Sequence, residues 1–238
     1  MKTLQYAVYS NKGKIRLDNE DSYLIKKNPH TIIAVADGMG GHQAGEIASQ
    51  LAVNSLANYK FKFDDISNEI ISFITEINNK ILNQGKKELE YEGMGTTLSM
   101  GIIYNKKLYI GHVGDSRIYL FRDNQLKQLT TDHSLVNELL KNNQITCQEA
   151  FNHPQKNIIT QALGTSVDLM IESKEIDLIQ GDKLIFSTDG LHDMLRFNEI
   201  EGFINANEDI NKLSSLLGEE AMNKGGNDNI TLIIVEIN

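Results

Sequence analysis

The chain has 238 residues, 40% hydrophobic and 23% charged, which suits a folded chain with a substantial core rather than a disordered one. A formal charge of −9 with no basic run argues against a nucleic-acid-binding module. One cysteine, Cys147, rules out an intrachain disulfide framework and a cysteine-based zinc site, and it reads as a buried or inert thiol. The N-terminal stretch lacks the apolar core of a signal peptide, and no run approaches the roughly 18 apolar residues of a spanning helix. The expectation is a single domain over residues 1–238, soluble, cytoplasmic and monomeric by default, without repeats or a linker.

In chain order, "LQYAVYS" alternates at period two through Leu4, Tyr6 and Val8, as a half-buried strand does. "SYLIK" and "TIIAVA" follow as strands. "AGEIASQLAVNSLANY" carries Ile47, Leu51, Ser55 and Leu56 at helical spacing. A second helix is clearer, with Ile66, Ile70, Ile74, Ile77 and Ile81 on one stripe and Asp64 or Asp65 as its cap. Then "TTLSMGIIY", "KLYIGHV", "SRIYLFR" and "QLKQLT" read as a meander of hairpins, with "NKK" and "RDNQ" as turn signals. From about Ser134 to Ile158 the pattern weakens to short helices and polar loop. "DKLIFSTD" is another strand, followed by helices around Asn198–Ala206 and Asp209–Lys224 and the final strand "NITLIIVEI". This order lacks regular βαβ alternation. It predicts an α+β fold of antiparallel sheets with helices on their outer faces.

The strands end on acids. Asp37 closes "TIIAVA", Asp115 lies in "GHVGDSRIYLF", Asp189 closes "KLIFST", Asp228 precedes "NITLIIVEI", and Glu20 and Asp21 precede "SYLI". If these strand ends share one edge, five or six carboxylates crowd one site. Like charges gather there only if some are protonated or a cation neutralises them. All-oxygen ligands select a hard ion, Mg²⁺ or Mn²⁺ or Ca²⁺, which keeps waters. Two ions sharing one carboxylate would bridge a hydroxide suited to in-line attack on phosphorus. Gly38 and Gly40 would permit positive φ and let backbone approach an ion. Arg16 is a natural fork for phosphate oxygens. Each motif alone is ordinary turn chemistry; the ordered set carries the signal.

That set is "RLDNED" (16–21), "VADGMGGH" (35–42), "MGTTLS" (94–99), "VGDSRIY" (113–119), "DHS" (132–134), "ITQALG" (159–164), "FSTDGL" (186–191) and "NDNITLIIV" (227–235). Together they resemble the bacterial branch of the PP2C-type (PPM) metal-dependent protein Ser/Thr phosphatases, nearly end to end. The resemblance implies an αββα sandwich of two antiparallel sheets. It implies that Asp37 bridges two Mn²⁺ or Mg²⁺ ions, with the Gly38 carbonyl on one and Asp189 and Asp228 on the other. Glu20 and Asp21 would bind through water, Arg16 would hold the substrate phosphate, and Asp115 with Asp189 would hold a weaker third ion. Residues 135–157 correspond to the family's flap, beside the site. One departure stands out. Many eukaryotic members carry a histidine after the Asp-Gly pair, where this chain has Met39. His42 is then a weak candidate acid against a structural role in the turn, and a metal-bound water is the more economical proton donor. His133 reads as fixing a loop, His112 as a satisfied core histidine, and Cys147 as incidental.

The implied reaction is direct hydrolysis of phosphoserine and phosphothreonine in proteins, opposing a Ser/Thr kinase in signalling, without membrane insertion. The absence of a Cys-x5-Arg loop argues against a cysteine phosphatase. Two alternatives remain at this level. A non-catalytic phosphoprotein-binding module would have lost metal carboxylates, and Asp37, Asp189 and Asp228 are all present. A hydrolase of small phosphoesters or nucleotides is the other, although the glycine turn has neither a Walker lysine nor a G-x-G-x-x-G pattern.

Overall fold

The computed structural model describes residues 4–27, 30–40, 44–87 and 89–238. Strands β1 (Gln5–Asn11), β2 (Asp21–Lys26) and β3 (Thr31–Met39) lead into helices α1 (Ala44–Asn58) and α2 (Ile66–Lys87). The short β4 (Gly95–Thr96) precedes β5 (Leu98–Tyr104), β6 (Lys107–Val113), β7 (Arg117–Arg122) and β8 (Gln125–Gln128). Next come α3 (Leu135–Lys141), α4 (Cys147–Phe151), β9 (Glu172–Asp177) and β10 (Lys183–Ser187). Helices α5 (Asp189–His192), α6 (Phe197–Ala206) and α7 (Ile210–Asn223) and strand β11 (Ile230–Glu236) complete the chain.

Two antiparallel sheets result, ordered β1-β11-β10-β7-β8 and β2-β3-β5-β6-β9, with β4 beside β3. Ile33 and Val35 of β3 meet Leu184, Phe186, Ile233 and Val235 between the sheets. The alternate residues Ile32, Ala34 and Ala36 pack under α1 and α2, and Ile185, Leu232 and Ile234 pack under α5 to α7. Helix, sheet, sheet and helix layers are therefore stacked as expected. Burial on both faces explains why these strands read as unbroken apolar runs rather than alternating ones. Each buried Val, Leu, Ile or Phe among them contributes about 1.5–3 kcal/mol by leaving water.

The hairpins follow their turn residues. Asn105 and Lys106 (φ 49° and 60°), and Asp123 and Asn124 (φ 52° and 60°), form two-residue turns with both φ positive, which match strand twist. In α2 the predicted isoleucine stripe is buried together with Phe73, and the Asp65 carboxylate accepts from the Asn68 N–H at 3.2 Å.

Three features differ from the sequence reading. Helix α1 buries Ala44, Gly45, Ala48, Ala52 and Leu56, while Ile47 and Leu51 lie on its flanks. Small residues let this helix approach β3 closely, so its buried face is not its most hydrophobic one. Strand β9 escaped notice because it is a sheet-edge strand with charge on both faces, Glu172 and Lys174 on one and Glu175 and Asp177 on the other. Cys147 is exposed, at the start of the short α4.

Candidate active site

The site is built where strand ends of both sheets meet. On one sheet, Asp21 of β2 lies directly opposite Asp37 of β3. On the other, Asp189 follows β10 and Asp228 precedes its neighbour β11. Asp115 sits in the turn between β6 and β7. A buried hydroxyl ties the two sheets together here. The Thr188 Oγ1 donates to Asp21 Oδ2 at 2.9 Å and accepts the Thr231 N–H at 3.0 Å.

The turn after β3 is held from behind. The Asp37 N–H donates to Thr97 Oγ1, and its carbonyl accepts from the Thr97 N–H and from Thr96 Oγ1, each at 2.9 Å. Thr97 Oγ1 in turn meets Ser116 Oγ at 2.7 Å, next to Asp115. Gly40 has the expected positive φ (142°), but Gly38 does not. At Gly38 the need is space. A Cβ there would lie 2.2 Å from the Gly45 carbonyl oxygen and 2.6 Å from that of Glu20. Gly190 has the same reason, since its Cβ would lie 2.0 Å from the Asn229 carbonyl oxygen. These contacts draw Asp37, Asp189 and Asp228 toward one edge. His42 lies outside the described residues.

Arg16 extends over the same edge and donates through Nη2 to Asp228 Oδ2 at 2.7 Å. Its loop is clipped by Asn229, whose buried amide accepts the Glu20 N–H (2.8 Å) and donates to the carbonyls of Lys12 (3.0 Å) and Asp18 (2.9 Å).

The family described as protein phosphatase 2C matches residues 14–225. The chain belongs to that family. It is 39% identical over 242 residues to the protein phosphatase PhpP of Streptococcus pneumoniae, covering 99% of this chain and 98% of the relative. The crystal structure of serine/threonine phosphatase Stp1 from Staphylococcus aureus superposes with a TM-score of 0.93 at 33% identity, covering 100% of this chain and 96% of that one. The catalytic domain of the serine threonine protein phosphatase PstP, solved with 2 manganese ions, superposes with a TM-score of 0.88 at 32% identity, covering 99% of each chain.

In this PP2C-family chain the acids perturb one another. Burial raises Asp37 well above the ordinary carboxylate range, with Asp189, Asp21, Asp115 and Asp228 adding repulsion. Asp189 is raised in the same way, by burial and then by Asp115, Asp193, Asp228 and Asp21. Burial pushes Asp21 and Asp115 each up to about 7. One carboxylate oxygen of each of Asp21, Asp115 and Asp189 is buried without a hydrogen-bond partner among the described residues. Buried, mutually repelling acids with unpaired oxygens are what a cation relieves. Among the described residues no three His, Cys, Asp or Glu side chains close into a protein-only cage. The oxygen-only donor set suits Mn²⁺ or Mg²⁺, ions that complete their shells with water.

The predicted acids Glu20, Asp21, Asp37, Asp115, Asp189 and Asp228 thus share one edge with Arg16. Sequence reasoning missed Asn229, Thr188 and Asp193. Asn229 directly follows Asp228, and Asp193 lies one helical turn beyond Asp189, so spacing alone could have flagged both. Lys156 reaches Asp193 Oδ2 at 3.0 Å and ties the 135–157 segment to α5. His133 does fix a loop, exchanging backbone and ring contacts with Gly114 at 2.8 and 3.2 Å.

Proposed function

We infer that this PP2C-family chain is a metal-dependent protein serine/threonine phosphatase that hydrolyses phosphoserine and phosphothreonine in proteins. The observation that carries the reading is the convergence of Asp21, Asp37, Asp115, Asp189 and Asp228 at one edge, with buried carboxylate oxygens left unpaired. The solved relatives Stp1 and PstP, named as serine/threonine phosphatases and matching nearly the whole chain, support it.

In this reading Asp37 would be shared between two ions, as the family resemblance implies, and those cations would relieve its repulsion with the other four aspartates. Its neighbour Gly38 would offer a carbonyl to one ion, and Asp189 and Asp228 would serve the other. Glu20 and Asp21 would act through water, and Asp115 with Asp189 would hold a third, weaker ion. The ions, when bound, supply an activated water as nucleophile and positive charge against the phosphoryl oxygens. Arg16 adds a planar fork of donors for two of those oxygens and is kept over the site by the Asn229 clip. The backbone bonds from Thr96 and Thr97 keep Asp37 from swinging as charge develops. In the overall reaction a water oxygen bonds phosphorus, the serine or threonine oxygen leaves, and that oxygen takes a proton.

The reading includes phosphoprotein substrates supplied by a Ser/Thr kinase, action as one monomeric cytoplasmic domain, and residues 135–157 as a flap beside the site. No helix among the described residues is long and apolar enough to cross a membrane. Replacing Asp189 by Asn should abolish Mn²⁺-dependent release of phosphate from a phosphothreonine peptide. Undiminished turnover by that variant would sink the assignment.

A further inference from the structure

The loop between β1 and β2 carries the run "KGKIRLD" (12–18) and stands on the rim of the acid cluster, where Arg16 reaches Asp228 at 2.7 Å. It exposes two aliphatic side chains, Ile15 (68%) and Leu17 (85%). Between them and before them lie Lys12, Lys14 and Arg16, in a chain whose formal charge is −9. Resting on the phosphatase reading, we propose that this loop is a docking ridge for an acidic stretch of the substrate phosphoprotein, one in which Asp or Glu alternates with aliphatic residues beside the phosphoresidue.

The exposed side chains are held on a fixed backbone. The Lys14 N–H donates to the Gly226 carbonyl at 2.7 Å, and the carbonyls of Lys12 and Asp18 accept from the Asn229 amide at 3.0 and 2.9 Å. At Gly13 (φ 79°) the loop presses so closely on the next segment that a Cβ would lie 2.2 Å from the Asp228 carbonyl oxygen. A ridge fixed in this way loses little freedom when a partner covers it. Two large aliphatic groups within three residues, rimmed by charge, form the kind of patch that a partner protein buries.

Charge complementarity names the partner. Arg117, Arg122, Lys156 and Lys174 each close an ion pair with an acid. Lys14 closes none among the described residues, and the Lys12 ammonium donates only to the Leu17 carbonyl, at 3.3 Å. Asp18 is the one acid in the run. The acidic surplus of the whole chain repels an acidic segment, whereas this rim attracts it and so fixes its register. The occupant is substrate rather than a lipid surface because the ridge is continuous with Arg16 and Asp228. An extended segment advances about 3.3–3.6 Å per residue, so residues within roughly three positions of the phosphoresidue reach Lys14 and Leu17.

The full chain would be assayed in Mn²⁺ on p-nitrophenyl phosphate and on three phosphothreonine peptides. One carries alternating Asp and Leu before the phosphoresidue, one carries them after it, and one has Asn and Ser in their place. Wild type should favour one of the acidic peptides over the neutral one by about fivefold in kcat/KM, through KM. Lys14→Gln should reduce that preference to about twofold, and Lys14→Glu should abolish it. Leu17→Ser should cost about threefold on the favoured peptide. Added salt should shrink the wild-type preference without removing the Leu17 effect. All three variants should leave p-nitrophenyl phosphate and the neutral peptide within about twofold. No acidic preference in wild type, equal losses on p-nitrophenyl phosphate, or unchanged peptide kinetics in the variants would overturn the ridge. Variants that lose only binding to phosphatidylglycerol vesicles would overturn it in favour of a lipid surface. A wild-type chain inactive on every substrate would instead overturn the phosphatase reading, and the ridge with it.

Discussion

Two buried polar regions lie side by side at the strand ends, and they are finished differently. Around β6 and β7 the polar groups close on themselves. Arg117 forks onto Asp132 through Nε (2.9 Å) and Nη2 (2.6 Å), and Gln128 donates to the same carboxylate at 2.7 Å. His112, wholly buried, meets Ser99 Oγ at 2.8 Å and donates through Nε2 to the Thr131 carbonyl at 3.2 Å. One turn away, Asp115, Asp189 and Asp21 each bury an oxygen with no partner among the described residues. A closed network stabilises the fold; an open one of like charges costs stability and is retained where a ligand completes it. The contrast separates structural from functional acids more sharply than residue type does.

One chemical change should therefore have opposite consequences in the two regions. Asp189→Asn should lower Mn²⁺-dependent kcat/KM by about 10³-fold or more, yet raise the melting temperature of the metal-free chain by about 2–4 °C. Calorimetry without and with Mn²⁺, beside the peptide assay, measures both. Asp132→Asn keeps the shape but leaves Arg117 without its counterion, and should cost about 3 kcal/mol in denaturant unfolding. A metal-free Asp189→Asn chain less stable than wild type would break the comparison.

His112 gives a pH-dependent test of the closed region. Burial, with His133 beside it, lowers it from 6.5 to about 4. A depressed histidine is neutral in the fold and charges more readily when unfolded. Its contribution is present above the unfolded value and is lost as pH falls from about 6.5 to about 4, by about 3 kcal/mol. The stability advantage of wild type over His112→Asn should shrink across that window. A constant difference would mean that the ring protonates freely in the fold.

The smallest effect expected is at Asn229, which acts through a loop. Asn229→Ala should raise KM for a phosphopeptide about tenfold and leave Mn²⁺ affinity unchanged. In an Arg16→Ala background the same substitution should add little. Full additivity of the two would show that the clip does not work through Arg16.

Much of this was legible beforehand. The isoleucine spacing of α2, the turn residues Asn105 and Asp123, and the acids at strand ends are local patterns that act over a few residues. The small-residue face of α1 was misread because its depth depends on what it packs against. Edge strand β9 was missed because charged residues on both of its faces hide any apolar alternation.

The sequence by itself therefore determined the layers and which acids could gather, since strand alternation, helix stripes and turn preferences are written within single elements. Only the tertiary structure decided the rest. Asp21 meets Thr188 across 167 residues, and Glu20 meets Asn229 across 209. Whether a carboxylate oxygen is paired and how high its pKa rises depend on such contacts. They follow from how two sheets dock, a property that no single stretch of chain contains.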